Sequence, residues 1–224
     1  MEVSVQAGFF AQAAVAGGKR DRTQAALLDA AIEVIARKGM EAAKISDMTD
    51  AAGLANGTFY NHFQTKDDIL KKVAIKIAFE VSRRLDMEMA EIEDGPMRMV
   101  TATTRFVNLM LDSPDWAAVL LDSKALVAER PKEAFQFLAA DLERCVEQGA
   151  IDEEIDQFTL EQVVALIRTG IESQLKNGPD ADLTRRLCLN ILRMLGMTRA
   201  KVIRVIEKYE SALPTSLSLA PNTD

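Results

Sequence analysis

Residues 53–70 read Gly-Leu-Ala-Asn-Gly-Thr-Phe-Tyr-Asn-His-Phe-Gln-Thr-Lys-Asp-Asp-Ile-Leu, and no other stretch constrains the chain as tightly. A short amphipathic run over about 45–52, with Ile45, Met48 and Ala52 on one side, stops at Gly53. Glycine there supplies the left-handed backbone that a tight turn between helices needs. Phe59 and Phe63 lie one helical turn apart and read as core, as does Leu54. Thr65 with Asp68 is a helix start, a hydroxyl at the N-cap and a carboxylate at N3. The segment is therefore two short helices, about 45–52 and 55–62, feeding a longer one that runs to about Glu93.

The rest of the chain is punctuated in the same way. Leu28, Ala31, Ile32 and Ile35 recur at helical spacing, and Gly39 follows as the C-terminal stop. Gly95-Pro96 marks a boundary. Ser113-Pro114-Asp115 is a helix start with capping hydroxyl, proline at N1 and an acid at the positive end. Pro131 opens a helix that Gly149 closes. Thr159 with Gln162 resembles a capping box ahead of Val163, Val164, Leu166, Ile167 and Ile171, and Asn177-Gly178-Pro179 ends that helix. A further helix over 182–195 stops at Gly196, and Thr198 caps a last one to about Leu213. No segment shows sustained alternation of strand type and no repeat of 20–50 residues appears, so the expected fold class is all-α.

Composition narrows the chemistry. With 48% apolar and 27% charged residues over 224 positions, the chain is an ordinary globular one. No apolar window spans a bilayer, so no membrane partner is expected. Residues 1–18 lack the basic start of a secretory signal and read as a flexible tail, like Pro214–Asp224. Cys145 and Cys188 stand apart and read as small buried hydrophobes in a reducing cytoplasm. The single histidine, His62, removes any multi-histidine metal site, and neither metal nor cofactor is expected. Net charge is −7, yet Lys19–Lys76 holds 10 basic against 8 acidic residues. Positive charge thus gathers on one small head above an acidic body, a distribution suited to meeting phosphate.

The match of Ala52, Gly53, Gly57, Thr58, Tyr60, His62, Phe63, Lys66 and Leu70 to a single spacing pattern resembles the helix-turn-helix of TetR-type (tetracycline-repressor-like) transcriptional regulators. The resemblance implies that the recognition helix meets DNA in the major groove. It implies too that Thr58, Tyr60 and His62 touch DNA, mostly its backbone, and that Lys66 holds a phosphate at the start of the next helix. Gly57 would let that helix come close. Asn56 and Asn61 carry amides that can pair bidentately with adenine. Arg20 and Arg22 precede the first helix and offer phosphate or minor-groove contacts. The sequence departs from the family where it usually has hydroxyl caps. Lys44 and Ala55 stand there, each omission costing about 1 kcal/mol, with Lys44 a substitute phosphate contact.

One recognition helix reads only a few base pairs, so useful specificity calls for a homodimer on a two-fold site. The resemblance places the dimer interface on the helices near 159–176 and 182–196. The middle of the chain resembles the family only in its helical pattern. There Met99, Phe106, Met110, Trp116 and Phe135 have the spacing of core residues. As a set they could line a cavity for an apolar or aromatic effector, with Arg168 as counter-charge to an anionic one. The expected organisation is a flexible tail over 1–19, a DNA-binding domain over 20–66, a ligand-binding and dimerisation domain over 67–213, and a flexible tail over 214–224. The expected function is that of a cytoplasmic, ligand-responsive regulator, a repressor released from a palindromic operator by a small, largely apolar effector. An enzyme finds no support: outside His62 no nucleophile–histidine pairing is possible, and no phosphate-binding glycine loop appears. The alternative is a helical interaction or small-molecule-binding module that has lost operator binding.

Overall fold

A computed structural model describes residues 10, 17–122, 132–152 and 154–212. In chain order its helices are α1 (Lys19–Lys38), α2 (Ile45–Ala51), α3 (Asn56–Tyr60), α4 (Lys66–Glu88) and α5 (Gly95–Asp112). They continue with α6 (Pro114–Asp122), α7 (Lys132–Glu147), α8 (Gln157–Asn177), α9 (Ala181–Met194) and α10 (Arg199–Ala212). Among the described residues there is no strand, and the fold is all-α. The helices gather into two compact units that interleave in sequence. The first takes Met1–Phe79 and Asp112–Ala134, the second Glu80–Leu111 and Phe135–Asp224. The 112–134 segment therefore groups with the head, where a contiguous division at residue 66 does not put it.

The first unit is built around the apolar stripe of α1. Leu27, Leu28, Ala31, Val34 and Ile35 are buried, and α6 packs on this helix with Trp116, Ala117 and Val119 also buried. Gly39 ends α1 in the left-handed region at φ 79°, its N–H donating to the Ile35 carbonyl. Gly53, at φ 66°, makes the α2–α3 turn. One expectation is corrected here. Phe10 lies in the stretch read as a loose tail, yet it is buried. Its N–H donates to the Asp29 carboxylate at 3.0 Å, and the Lys76 ammonium sits 5.8 Å from its ring centroid. Residues 1–9 and 11–16, Pro131 as a helix opener, and the tail over 214–224 lie outside the described residues.

The second unit corrects two boundaries, the end of α4 and the start of α8. α4 ends at Glu88 rather than about Glu93, because Arg98 claims the carbonyls beyond it. Its Nη1 donates to the carbonyl of Met89 at 2.7 Å and to that of Ile92 at 3.5 Å. The same buried guanidinium pairs with Asp86 and with buried Asp141. Gly95-Pro96 begins a helix, and Asp94 accepts from the Met97 N–H at 2.9 Å. α8 starts at Gln157 because Asp156 is the cap. It accepts from both the N–H and the hydroxyl of Thr159, so Thr159 is inside the helix. Gln174, buried, then ties α8 to α9 by donating to the Thr184 hydroxyl and accepting from the Asp180 N–H.

Candidate nucleic-acid interface

The recognition helix is short and has no side-chain cap. α3 covers Asn56–Tyr60, and Ala55 at its N-cap has nothing to offer the first N–H groups. Lys44 at the N-cap of α2 likewise caps nothing with its side chain. Its own N–H donates to Asp47 at 3.1 Å instead, while Lys38 holds the same carboxylate at 2.8 Å. Those two bonds, with the neighbouring lysine charges, hold the Asp47 carboxyl below the usual range. By contrast the start of α4 is capped as its sequence requires. The Thr65 hydroxyl accepts from the Asp68 N–H at 3.1 Å, and Asp68 accepts from the Gln64 N–H.

Beneath α3 lies an aromatic floor. Phe59 and Phe63 are buried with ring centroids 5.6 Å apart, and the Lys72 ammonium stands 5.1 Å from the Phe63 centroid. Tyr60 meets Phe59 edge to face at 5.4 Å yet is 62% exposed. Tyr60 lines a groove of about 580 Å³ with Glu41, Ala42, Ala43, Lys44, Ile45, Ser46, Asn56 and Lys66. Three residues singled out in the sequence, Lys44, Asn56 and Lys66, thus share one groove with Tyr60.

Two of these carry ties that sequence reasoning missed. Lys66 donates to the carbonyl of Met40 at 3.0 Å and of Glu41 at 3.1 Å, so two of its three ammonium protons close the loop before α2. Asn56 accepts a hydrogen bond from buried Thr49 at 2.6 Å. No local pattern announces either partnership. Glu41 and Ser46 also join the groove without any sequence signal of their own.

The remaining head residues lie around α3. Gly57 is exposed, with nothing within 4 Å of where a Cβ would stand. Asn61 is exposed and Thr58 half-buried. His62 is half-buried, and its Nδ1 is a buried atom with no hydrogen-bond partner. Burial, aided by the Arg20 charge, holds its imidazole below the usual 6.5. Arg20 is therefore electrostatically within reach of His62. Arg22, also exposed, donates to the Gly17 carbonyl at 2.7 Å.

In the second unit, Met99 and Met110 are buried, while Phe106 and Phe135 are half-buried. Trp116 is buried in the first unit. Arg168 pairs with Glu172 one helical turn away at 3.3 Å. Both cysteines are buried thiols, pushed up by burial to about 12 at Cys145 and about 11 at Cys188. Neither supplies a thiolate near neutrality. Among the described residues no helix is long and apolar enough to cross a membrane, and no group of three or more His, Cys, Asp or Glu is placed to hold a metal ion.

Residues 27–73 match the family model for bacterial regulatory proteins of the tetR family. The chain is 24% identical over 146 residues to the fatty acid metabolism regulator protein of Bacillus subtilis, covering 62% of this chain and 75% of that one. A crystal structure of RolR with the ligand resorcinol aligns with a TM-score of 0.71 at 21% identity, covering 88% of this chain and 97% of RolR. FadR from Bacillus subtilis in complex with stearoyl-CoA aligns at 0.62 and 22% identity, covering 76% of this chain and 96% of that one. The fold and these likenesses agree: residues 27–73 match the tetR family of bacterial regulatory proteins, and the chain shares the fold of the solved regulators it resembles.

Proposed function

We propose that the protein is a homodimeric repressor that holds a palindromic operator through its 20–66 head and releases it when a small, largely apolar effector enters the helical body. The observation that carries the DNA half is the groove beside α3, where exposed Tyr60 stands among Lys44, Asn56 and Lys66. Two ammonium groups and a phenol on one concave surface suit a phosphodiester backbone. Lys66 keeps one proton free for this after its two carbonyl bonds. Gly57 and Thr58 lie within α3 and Asn61 and His62 directly after it, and they would add contacts to the same DNA, with Arg20 and Arg22 adding positive charge.

Dimerisation is supported by the apolar side chains that α8 leaves uncovered. Phe158 is 63% exposed and Leu175 39%, while Leu160, Val164 and Ile167 are half-buried in the single chain. A second copy packing on α8 and α9 would cover them. The effector reading draws on Met99, Phe106, Met110 and Phe135 in the second unit, and on the ligands of two fold relatives, one aromatic and one a long-chain acyl thioester. α4 starts in the head and ends in the other unit, so a ligand that prefers one setting of that helix would shift the population away from operator-ready dimers.

Fluorescence polarisation against the DNA flanking its own gene tests the reading. Sequence-specific binding that weakens with salt supports it, and Lys44→Ala should lower the salt slope by about one unit per protomer. Release by stearoyl-CoA or by resorcinol, used as probes, would identify the effector class. No specific binding at low salt would leave the alternative, a helical module that no longer reads an operator.

A further inference from the structure

We infer that Thr49 fixes the orientation of the Asn56 amide, so that Asn56 presents only its NH2 group to DNA and selects a guanine rather than an adenine. This rests on the operator-binding reading above and deepens it. Thr49 is completely buried in α2, and Asn56 is the first, exposed residue of α3. The Thr49 hydroxyl lies 2.6 Å from Asn56 Oδ1, 3.1 Å from the Ser46 carbonyl and 3.2 Å from that of Ile45. A hydroxyl has one proton, and the shortest contact takes it. A separation of 2.6 Å falls in the range of O–H···O bonds, with the Thr49 hydroxyl donating to the amide oxygen.

Base recognition follows from the geometry. A free asparagine reads adenine with both ends of its amide, accepting from N6 and donating to N7. Here the oxygen is turned to a buried threonine, and what remains is a donor with two hydrogens. In the major groove guanine alone offers two adjacent acceptors, O6 and N7. Adenine would bring its N6 donor against a donor. Asn56 is thus the specificity-determining residue and Thr49 the positioning one, acting across the turn that Gly53 makes.

The test is selection of a bound sequence from randomised duplexes by the full-length protein, followed by polarisation titrations on single-base variants of the winner. The wild type should select a guanine at one position of each half-site, preferred over adenine about ten-fold, within the range of a two-bond base contact. Asn56→Asp keeps the acceptor for Thr49 but faces the groove with an oxygen, and should lose that guanine in favour of cytosine. Thr49→Val frees the amide and should narrow the guanine-to-adenine ratio to about three-fold or less, while Thr49→Ser should restore it. Circular dichroism confirms that each variant is folded. If Thr49→Val does not fold, Asn56→Asp and Thr49→Ser still decide. Wild-type selection of adenine or cytosine at every position that Asn56→Asp alters would mean a flipped amide and overturn the inference. So would variants that select the wild-type sequence with unchanged ratios. Loss of all specific binding by the wild type would instead sink the operator reading itself.

Discussion

The Lys66 ammonium donates to the main-chain carbonyl of Met40, 26 residues earlier, at 3.0 Å. With its second bond to Glu41 it pins the loop between α1 and α2 against the first turn of α4. Such charge-assisted bonds are worth more than neutral ones, and a half-exposed pair of them is worth about 1–3 kcal/mol in total. Lys66→Met should therefore lower the unfolding free energy by that amount, read as a shift in the urea midpoint with unchanged slope. An unaltered midpoint would mean that the loop holds its place without the ammonium.

Two glycines should respond very differently to a single methyl group. A Cβ on Gly95 would lie 2.9 Å from the backbone nitrogen of Cys145 and 2.9 Å from its sulfur, so helix backbones would have to separate. Gly95→Ala should cost about 1–3 kcal/mol, as overpacking does. A Cβ on Gly170 would meet only the end of the Leu187 side chain, at 2.7 Å from Cδ2. Rotation of that leucine absorbs it, and replacing a helical glycine by alanine is itself favourable by about 1 kcal/mol. Gly170→Ala should be near neutral. Equal denaturation midpoints for the two variants would contradict this packing.

Arg98 is the charged centre of the second unit. Its side chain is 4% exposed and that of Asp141 7%, whereas Asp86 is 41% exposed. Removing the guanidinium strands a buried carboxylate, and Arg98→Met should cost about 3–5 kcal/mol. Burial already pushes the Asp141 carboxyl up against the downward pull of Arg98. Without Arg98 it rises further, so the folded variant keeps a proton that the unfolded chain gives up. Stability of Arg98→Met should therefore be greatest in acid and decline as pH rises through the elevated value. Asp141→Asn in the same background should recover part of the loss at pH 7. Urea denaturation at two pH values measures both, and a double variant no more stable than Arg98→Met would refute the stranded charge.

What the sequence made legible were features written in local chemistry. The α4 start needs only Thr65 and Asp68, three residues apart, and the Phe59–Phe63 floor only a helical turn. Missing caps at Lys44 and Ala55 followed from side chains with no acceptor to offer. What stayed hidden depends on partners brought together by folding. α4 stops at Glu88 because of an arginine ten residues later that is itself held from α7. Asp156 displaced Thr159 as a cap because either residue could serve and only the chain path chooses. Thr49 carried no sequence signal of its own, and its bond to Asn56 exists only once the Gly53 turn has closed.

His62 links protonation to stability and, through the proposed operator contact, to DNA binding. Burial and the nearby Arg20 charge hold its imidazole below 6.5, and its buried Nδ1 has no partner in the free protein. Between that lowered value and 6.5 the unfolded chain binds the proton and the folded head does not. The contribution to stability is thus complete above about 6.5 and is lost as pH falls toward the folded value. A phosphate beside the imidazole would act oppositely, since an anion favours the imidazolium. Operator binding would then take up a proton, and affinity should rise on going from pH 7.5 to 6.0 at constant ionic strength while the melting temperature falls. His62→Gln should flatten both profiles, since glutamine cannot titrate. Polarisation titrations and thermal melts across that interval decide the matter, and a variant that follows the wild-type pH dependence in both would place the titrating group elsewhere.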